Sequence, residues 1–212
     1  MPVIAVDGPA ASGKGTIARA LAGHFGLPHM DTGLLYRAVA LNLWRWGGVG
    51  GNEFEALRAC DELGLDPDDP ELRSEPVSRI ASAISAFASV RSALLKRQQD
   101  FAQQEGGAVL DGRDIGTVIA PDADVKLFVS ASPEVRAGRR LKELEARGMQ
   151  VHLDDVLADI RARDRRDSTR EVAPLRPAPD AIRLDTSDLD VDAAIAEAIR
   201  LVEERLPDLR SM

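Results

Sequence analysis

The chain has 212 residues, of which 44% are hydrophobic, and its 27 Lys and Arg against 35 Asp and Glu leave a formal net charge of −8. That is enough apolar material for one sizeable core but hardly for two full domains, and the acidic balance argues against a broad nucleic-acid-binding face, which needs basic excess. A single cysteine, Cys60, rules out an internal disulfide framework, and neither a signal-type leader nor an apolar run near a membrane span is present, so a soluble cytoplasmic protein is expected.

Short apolar segments alternate with longer stretches of helical period, which predicts an α/β fold with a five-stranded parallel sheet flanked by helices. The predicted strands are Val3–Asp7, Leu27–Met30, Ala108–Asp111, Val125–Val129 and Ala181–Asp185. Directly behind the first strand lies Gly8-Pro9-Ala10-Ala11-Ser12-Gly13-Lys14-Gly15-Thr16. Glycines at 8, 13 and 15 let backbone N–H groups close on a polyphosphate and pass it to the positive end of the next helix. Lys14 adds a mobile cation for the terminal phosphates. The position after the lysine is Gly15 where a Mg²⁺-binding hydroxyl is usual, with Thr16 one place later as a possible metal contact. That departure disfavours a GTPase or motor and fits the small nucleoside and metabolite kinases.

The first helix carries Ile17, Leu21 and Phe25 as its buried stripe and ends near Gly26. Asp31-Thr32-Gly33-Leu34-Leu35-Tyr36-Arg37 opens a second helix, from which Arg37 is placed to clamp a phosphate. Between residues 37 and 99 the alternation breaks, with Gly47-Gly48-Val49-Gly50-Gly51 and Asp66-Pro67-Asp68-Asp69-Pro70 interrupting mostly helical sequence. Then comes Ala108-Val109-Leu110-Asp111-Gly112-Arg113-Asp114-Ile115-Gly116-Thr117, an apolar strand ending in an acid. Asp111 has the place of a carboxylate that holds a metal through water, opposite the phosphate loop, and Gly112 lets the chain deliver Arg113 and Asp114 to the cleft.

Ser132-Pro133-Glu134 marks another helix start, and the stretch 134–170 that follows is rich in arginine. It holds ten Lys and Arg against eight Asp and Glu, a balance of +2 in a chain of −8, so positive charge is concentrated there. Arg163, Arg166 and Arg170 fall at helical spacing and would share one face, with Asp167 beside them. Near a phosphate loop such a segment reads as a lid that closes guanidinium groups around a phosphoryl group and excludes water. A last helix over Val191–Leu206 turns Ala194, Ile195, Ala198, Ile199 and Val202 to the core. The histidines His24, His29 and His152 do not cluster and are given no catalytic role.

Taken in order, Asp7-Gly8-Pro9, Ser12-Gly13-Lys14-Gly15-Thr16, Asp31-Thr32-Gly33, Tyr36-Arg37, Val90-Arg91, Asp111-Gly112-Arg113-Asp114, Gly116-Thr117-Val118, Arg163-Asp164-Arg165-Arg166-Asp167, Arg170 and Ala173-Pro174-Leu175 resemble the bacterial cytidylate kinases over nearly the whole chain. The resemblance implies one P-loop nucleoside monophosphate kinase domain over 1–212, with a helical acceptor-binding insertion at 37–99 and a short lid at 134–170. It implies transfer of the γ-phosphoryl group of ATP to CMP or dCMP with Mg²⁺, and a monomer with no nucleic-acid or membrane partner. Residues Gly8 to Thr16 would hold ATP. Thr32, Arg37 and Arg113 would surround the acceptor phosphate; Ser82, Arg91 and Asp114 would read cytosine. Asp167 and Arg170 would contact the ribose, and Arg163 and Arg166, with Lys14 and Arg113, would stabilise the moving phosphoryl group. The insertion is shortened: 53 residues separate Arg37 from Arg91, and Gly64 to Pro76 shows no strand period, so the small extra sheet of the longer family form is expected to be missing. Alternatives are another small P-loop kinase acting on UMP, AMP or a metabolite, a P-loop NTPase switch, and a non-catalytic nucleotide-binding module.

Overall fold

The computed structural model describes residues 2–64 and 66–207; Met1, Leu65 and residues 208–212 of the predicted 1–212 domain lie outside the described residues. The chain forms two compact units, Met1–Met30 with Ala102–Met212, and Asp31–Phe101.

The first unit is organised by the sheet. Its strands β1 (Val3–Asp7), β2 (His29–Asp31), β3 (Ala108–Gly112), β4 (Val125–Ser130) and β5 (Ile182–Asp185) lie in the order β2-β3-β1-β4-β5, all parallel. Val3 pairs with Ala108 and Asp7 with Gly112, while Asp7 also stands opposite Phe128 on β4. Strand order reverses at β1, so the carboxyl end of β1 is the switch point at which open α/β sheets bind ligands. One face is closed by α1 (Lys14–Phe25) and α8 (Val191–Arg205), which set Ile17, Leu21, Ala194, Ala198 and Val202 against Ile4, Val6, Val109, Leu127, Val129 and Leu184. Phe25, Ile195 and Ile199 pack around this cluster only partly buried. Each fully buried Leu or Ile here contributes about 1.5–3 kcal/mol.

Two strand starts differ from the sequence reading, for reasons of hydrogen bonding. Gly26 ends α1 in the left-handed region at φ 65°, and the Leu27 N–H closes on the Ala22 carbonyl at 2.9 Å. Leu27 is therefore spent on the helix cap, Pro28 has no N–H to give a ladder, and β2 begins at His29. Likewise the Ala181 N–H is taken by a turn to Ala178 O at 3.0 Å, which delays β5 to Ile182.

The remaining helices of this unit are α6 (Pro133–Ala146) and α7 (Leu153–Thr169), joined through Ala137, Leu144, Val156 and Ile160. The 134–170 segment is thus a pair of packed helices. A π-helical turn, Ile115–Ile119, follows β3.

The second unit is built from α2 (Thr32–Arg45), α3 (Glu53–Asp61), α4 (Glu75–Ile84) and α5 (Ala88–Ala102) with a 3-10 turn at Pro70–Arg73. Its starts are sequence-encoded: Asn52 Oδ1 accepts from Phe54 N at 3.0 Å, and Ser74 Oγ from Val77 N with Pro76 in the first turn of α4. Among the described residues of 37–99 there is no strand. Trp46 caps the end of α2 with Arg58 5.5 Å over its ring, and it stays 44% exposed.

Candidate active site

The turn from β1 into α1 is shaped by what its backbone must avoid. A methyl group at Gly8 would lie 2.1 Å from the Val129 carbonyl oxygen on the neighbouring strand, so no side chain fits without moving the sheet. Ala11 (φ 57°) and Gly13 (φ 89°) adopt left-handed backbone, and Lys14 then opens α1. Replacing Gly8 with alanine should cost about 3 kcal/mol of stability through this clash. A urea-unfolding midpoint equal to that of the wild type would show that the loop can yield.

The outward-facing carbonyls of the loop are tied back from behind. Arg136 Nη1 donates to Ala10 O at 3.2 Å, and Ser12 O accepts from Arg139 Nη1 at 3.3 Å and from Thr186 Oγ1 at 3.1 Å. Arg136 is 3% exposed and also forms a two-pronged pair with Asp164 at 2.9 and 2.6 Å, which fastens α7 to α6. With these carbonyls engaged, N–H groups are what the loop turns toward a ligand. The buried Ser12 hydroxyl has no hydrogen-bond partner among the described residues, which fits a ligand oxygen arriving there. Sequence reasoning missed Arg136, Arg139 and Thr186; the only available signal was a pair of arginines three apart on the helix that Ser132 caps.

Asp111, 2% exposed at the end of β3, faces the start of α1: a methyl group built on Gly15 would lie 3.7 Å from its Oδ1. His29 Nε2 meets its Oδ2 at 2.8 Å, so a histidine given no role from sequence is the immediate neighbour of the predicted metal carboxylate. Strand order β2-β3 makes that pair, and nothing local announces it. Among the described residues no group of three His, Cys, Asp or Glu is arranged to hold a metal ion. One hard carboxylate facing a phosphate loop does suit Mg²⁺, which commonly takes one or two protein oxygens and completes its shell with phosphates and water. Thr16, the other metal candidate, is exposed on α1.

A charged cluster adjoins the loop, with Gly8 N–H reaching Gly112 O at 3.3 Å. Arg113 Nε donates to Asp167 Oδ2 at 2.9 Å, and Arg170 Nη2 lies 3.7 Å from Asp114 Oδ1. Burial pushes the Asp167 carboxyl up, but Arg113 foremost, with Arg163 and Arg170, outweighs it and holds the group below the usual carboxylate range. The structure therefore gathers Arg113, Asp114, Arg163, Asp167 and Arg170. Arg166 is exposed on α7. The single helical face proposed for Arg163, Arg166 and Arg170 needs correction, because α7 stops at Thr169 and Arg170 is extended (ψ 143°). The chain turns there so that Leu175 N–H can close on Asp167 O at 2.7 Å, with Ala173 left-handed at φ 50° and its carbonyl taking Arg170 Nε.

In the second unit, Thr32 is buried at the start of α2, and Arg37 Nη1 donates to Ser78 Oγ at 2.7 Å and to Leu72 O at 3.2 Å. Ser82 and Arg91 are both buried and connected through Ser85, whose hydroxyl donates to Ser82 O at 2.9 Å and whose carbonyl accepts from Arg91 at 3.2 Å. The Arg91 guanidinium also lies 5.7 Å from the Tyr36 ring centre. Ser78, Ser85 and Tyr36 hold predicted site residues in place and were not singled out from sequence.

Comparison with known proteins gives concordant matches. Residues 4–48 and 62–204 match the family model described as cytidylate kinase. A cytidylate kinase of Methylocella silvestris is 55% identical over 99% of this chain and 97% of its own length, and one of Xanthobacter autotrophicus is 57% identical over 96% and 98%. A solved structure of an uncharacterized protein from Eubacterium ventriosum shares the fold at TM-score 0.54, with 16% identity over 96% of this chain and 99% of that one.

Proposed function

The chain belongs to the cytidylate kinase family and is an ATP-dependent nucleoside monophosphate kinase, and from that premise we propose which residues carry the γ-phosphoryl group from ATP to CMP or dCMP. The observation that carries the assignment is the cluster of Arg113, Asp114, Asp167 and Arg170 built against the phosphate loop.

ATP is held by Gly8, Pro9, Ala10, Ala11, Ser12, Gly13, Lys14, Gly15 and Thr16, whose N–H groups meet the phosphates at the positive end of α1. Lys14, Arg113, Arg163 and Arg166 neutralise charge that builds on the equatorial oxygens as the phosphoryl group passes in line. Residues 37–99 form the acceptor-binding part, with Thr32, Arg37 and Arg113 on the acceptor phosphate, and 134–170 the lid. Asp167 and Arg170 take the ribose. Mg²⁺, bound with ATP, would supply positive charge to the phosphates; Asp111 would hold it through water, with Thr16 as the further candidate. Apart from that ion the reaction needs alignment and fixed charge, and no side chain is required to act as a base.

Asp114, Ser82 and Arg91 read the base. A carboxylate accepts from the exocyclic amine of cytosine and repels the oxygen that uracil presents at the same place. Changing Asp114 to alanine should therefore narrow the CMP-to-UMP ratio of kcat/KM by roughly tenfold or more while leaving KM for ATP nearly unchanged. A coupled ADP-release assay over a panel of nucleoside monophosphates measures it; an unaltered ratio would remove Asp114 from base reading. The same panel distinguishes a switch, which turns over without acceptor, from a module that does not turn over. No helix among the described residues is long and apolar enough to cross a membrane. The same reading makes the chain a cytoplasmic monomer without nucleic-acid or membrane partners.

A further inference from the structure

Asp7 ends β1 immediately before the phosphate loop, is 4% exposed, and is absent from every role assigned above. Its Oδ1 accepts from Ile115 N–H and Oδ2 from Gly116 N–H, each at 2.8 Å, across more than a hundred residues of chain. Those two N–H groups open the π-helical turn Ile115–Ile119, and the first turn of any helix leaves its N–H groups without partners inside the helix. The ordinary solution is local: an aspartate at the cap position folds its side chain back onto them. The cap position here is Asp114, in a non-helical conformation (φ −142°, ψ 25°), and its side chain makes no cap bond. Asp114 O still receives Val118 N–H at 2.9 Å and Ile119 N–H at 3.2 Å, so the turn is closed without its carboxylate.

We propose that Asp7 is a positioning residue for acceptor recognition: by capping the Ile115–Ile119 turn from β1 in place of Asp114, it keeps the Asp114 carboxylate turned toward the acceptor base and holds Arg113 and Asp114 in register with Gly8. The inference rests on the reading of Asp114 as a contact to cytosine. Two features support it independently of that reading. Gly116 is where the turn packs closely: a methyl group there would sit 3.1 Å from the Lys126 side chain and 3.4 Å from Asp7 Oδ2, so the turn is seated against both Lys126 and the carboxylate. The second is electrostatic. Burial raises the Asp7 pKa to about 6, opposed mainly by the two backbone N–H groups, and the nearby Asp114 charge adds to the rise. Near neutral pH the group is thus chiefly ionised and accepts both bonds, at a desolvation cost that an apolar residue at this core position would not incur.

The experiment compares Asp7→Asn, Asp114→Ala and the double variant, each assayed for KM of CMP, KM of ATP and the CMP-to-UMP ratio of kcat/KM. Asparagine keeps the shape but turns an N–H₂ group toward one of the two donors. The expected result for Asp7→Asn is roughly a tenfold rise in KM for CMP and a narrowed base ratio, with KM for ATP changed far less. In the Asp114→Ala background the same substitution should leave the ratio where it already stands, because the group through which Asp7 acts is gone. Independent, additive narrowing in the double variant, or equal losses toward ATP and CMP, would overturn the proposal and leave Asp7 a general structural residue. If Asp114→Ala alone does not alter the ratio, it is the assignment of Asp114 that fails; if it does and Asp7→Asn does not, the capping inference alone fails. Should Asp7→Asn not fold, amide exchange on the wild-type chain decides: Ile115 and Gly116 are expected to be as protected as β1, and rapid exchange at both would refute the cap.

Discussion

Replacing Lys14 with alanine should lower kcat about a thousandfold or more, with a much smaller change in ATP affinity. The asymmetry comes from where the charge is needed. In the ground state the phosphates are held by many loop N–H groups and the end of α1, so one ammonium is a minority share of binding. As the phosphoryl group departs, charge shifts toward the oxygens nearest Lys14, and a fixed loop amide cannot follow it while a side chain on rotatable bonds can. The fold itself should be insensitive, because Lys14 is the first residue of α1 and alanine is the best helix former. The measurement pairs single-turnover kinetics with calorimetric titration of ATP and a thermal melt. A folded variant with near-normal turnover would contradict the role; a variant that loses ATP binding in proportion to rate would show that Lys14 acts on the ground state.

Arg113→Ala should remove activity about 100- to 1,000-fold and also destabilise the protein by about 3 kcal/mol, because Arg113 is a partner in a mostly buried ion pair as well as the proposed phosphate contact. The side chains of Arg113 and Asp167 are only 16% and 6% exposed, so truncating the arginine strands a carboxylate in a poorly solvated place. The pH dependence separates the two effects. In the wild type the Asp167 pKa lies below its unfolded value, so its contribution is present above about pH 4 and fades as the pH falls through the folded pKa. Without Arg113, burial that is now offset pushes that pKa upward. The stability deficit of the variant should therefore be largest near neutrality and shrink in acid; a deficit unchanged from pH 7 to well below pH 4 would mean that the pair contributes little. Arg113→Lys, which keeps charge but not the guanidinium fork, should recover part of the stability and little of the rate.

The features legible from sequence are those whose chemistry is local. Gly8 to Thr16 work through backbone conformation in one turn, so spacing alone carries the message. Ser132-Pro133 and Ser74 with Pro76 begin helices for reasons confined to a few residues, and the helix at Ser132 starts where expected. Arg170 shows the limit: a spacing that is helical on paper was interrupted because Asp167 O and Leu175 N–H needed each other more than α7 needed another residue.

By itself the order of residues determined the phosphate loop and the parallel α/β class and pointed to the candidate site groups, because strand period, helix caps and glycine turns are written within short windows. Only the tertiary structure decided who touches whom: His29 on Asp111, Arg113 on Asp167, Arg136 and Arg139 on the loop carbonyls, and Asp7 on Ile115 and Gly116. Those partners are far apart in the chain and meet because the sheet order β2-β3-β1-β4-β5 puts strand ends side by side. A buried charge takes whichever opposite group the packing brings within reach, and no short stretch of sequence specifies that neighbour.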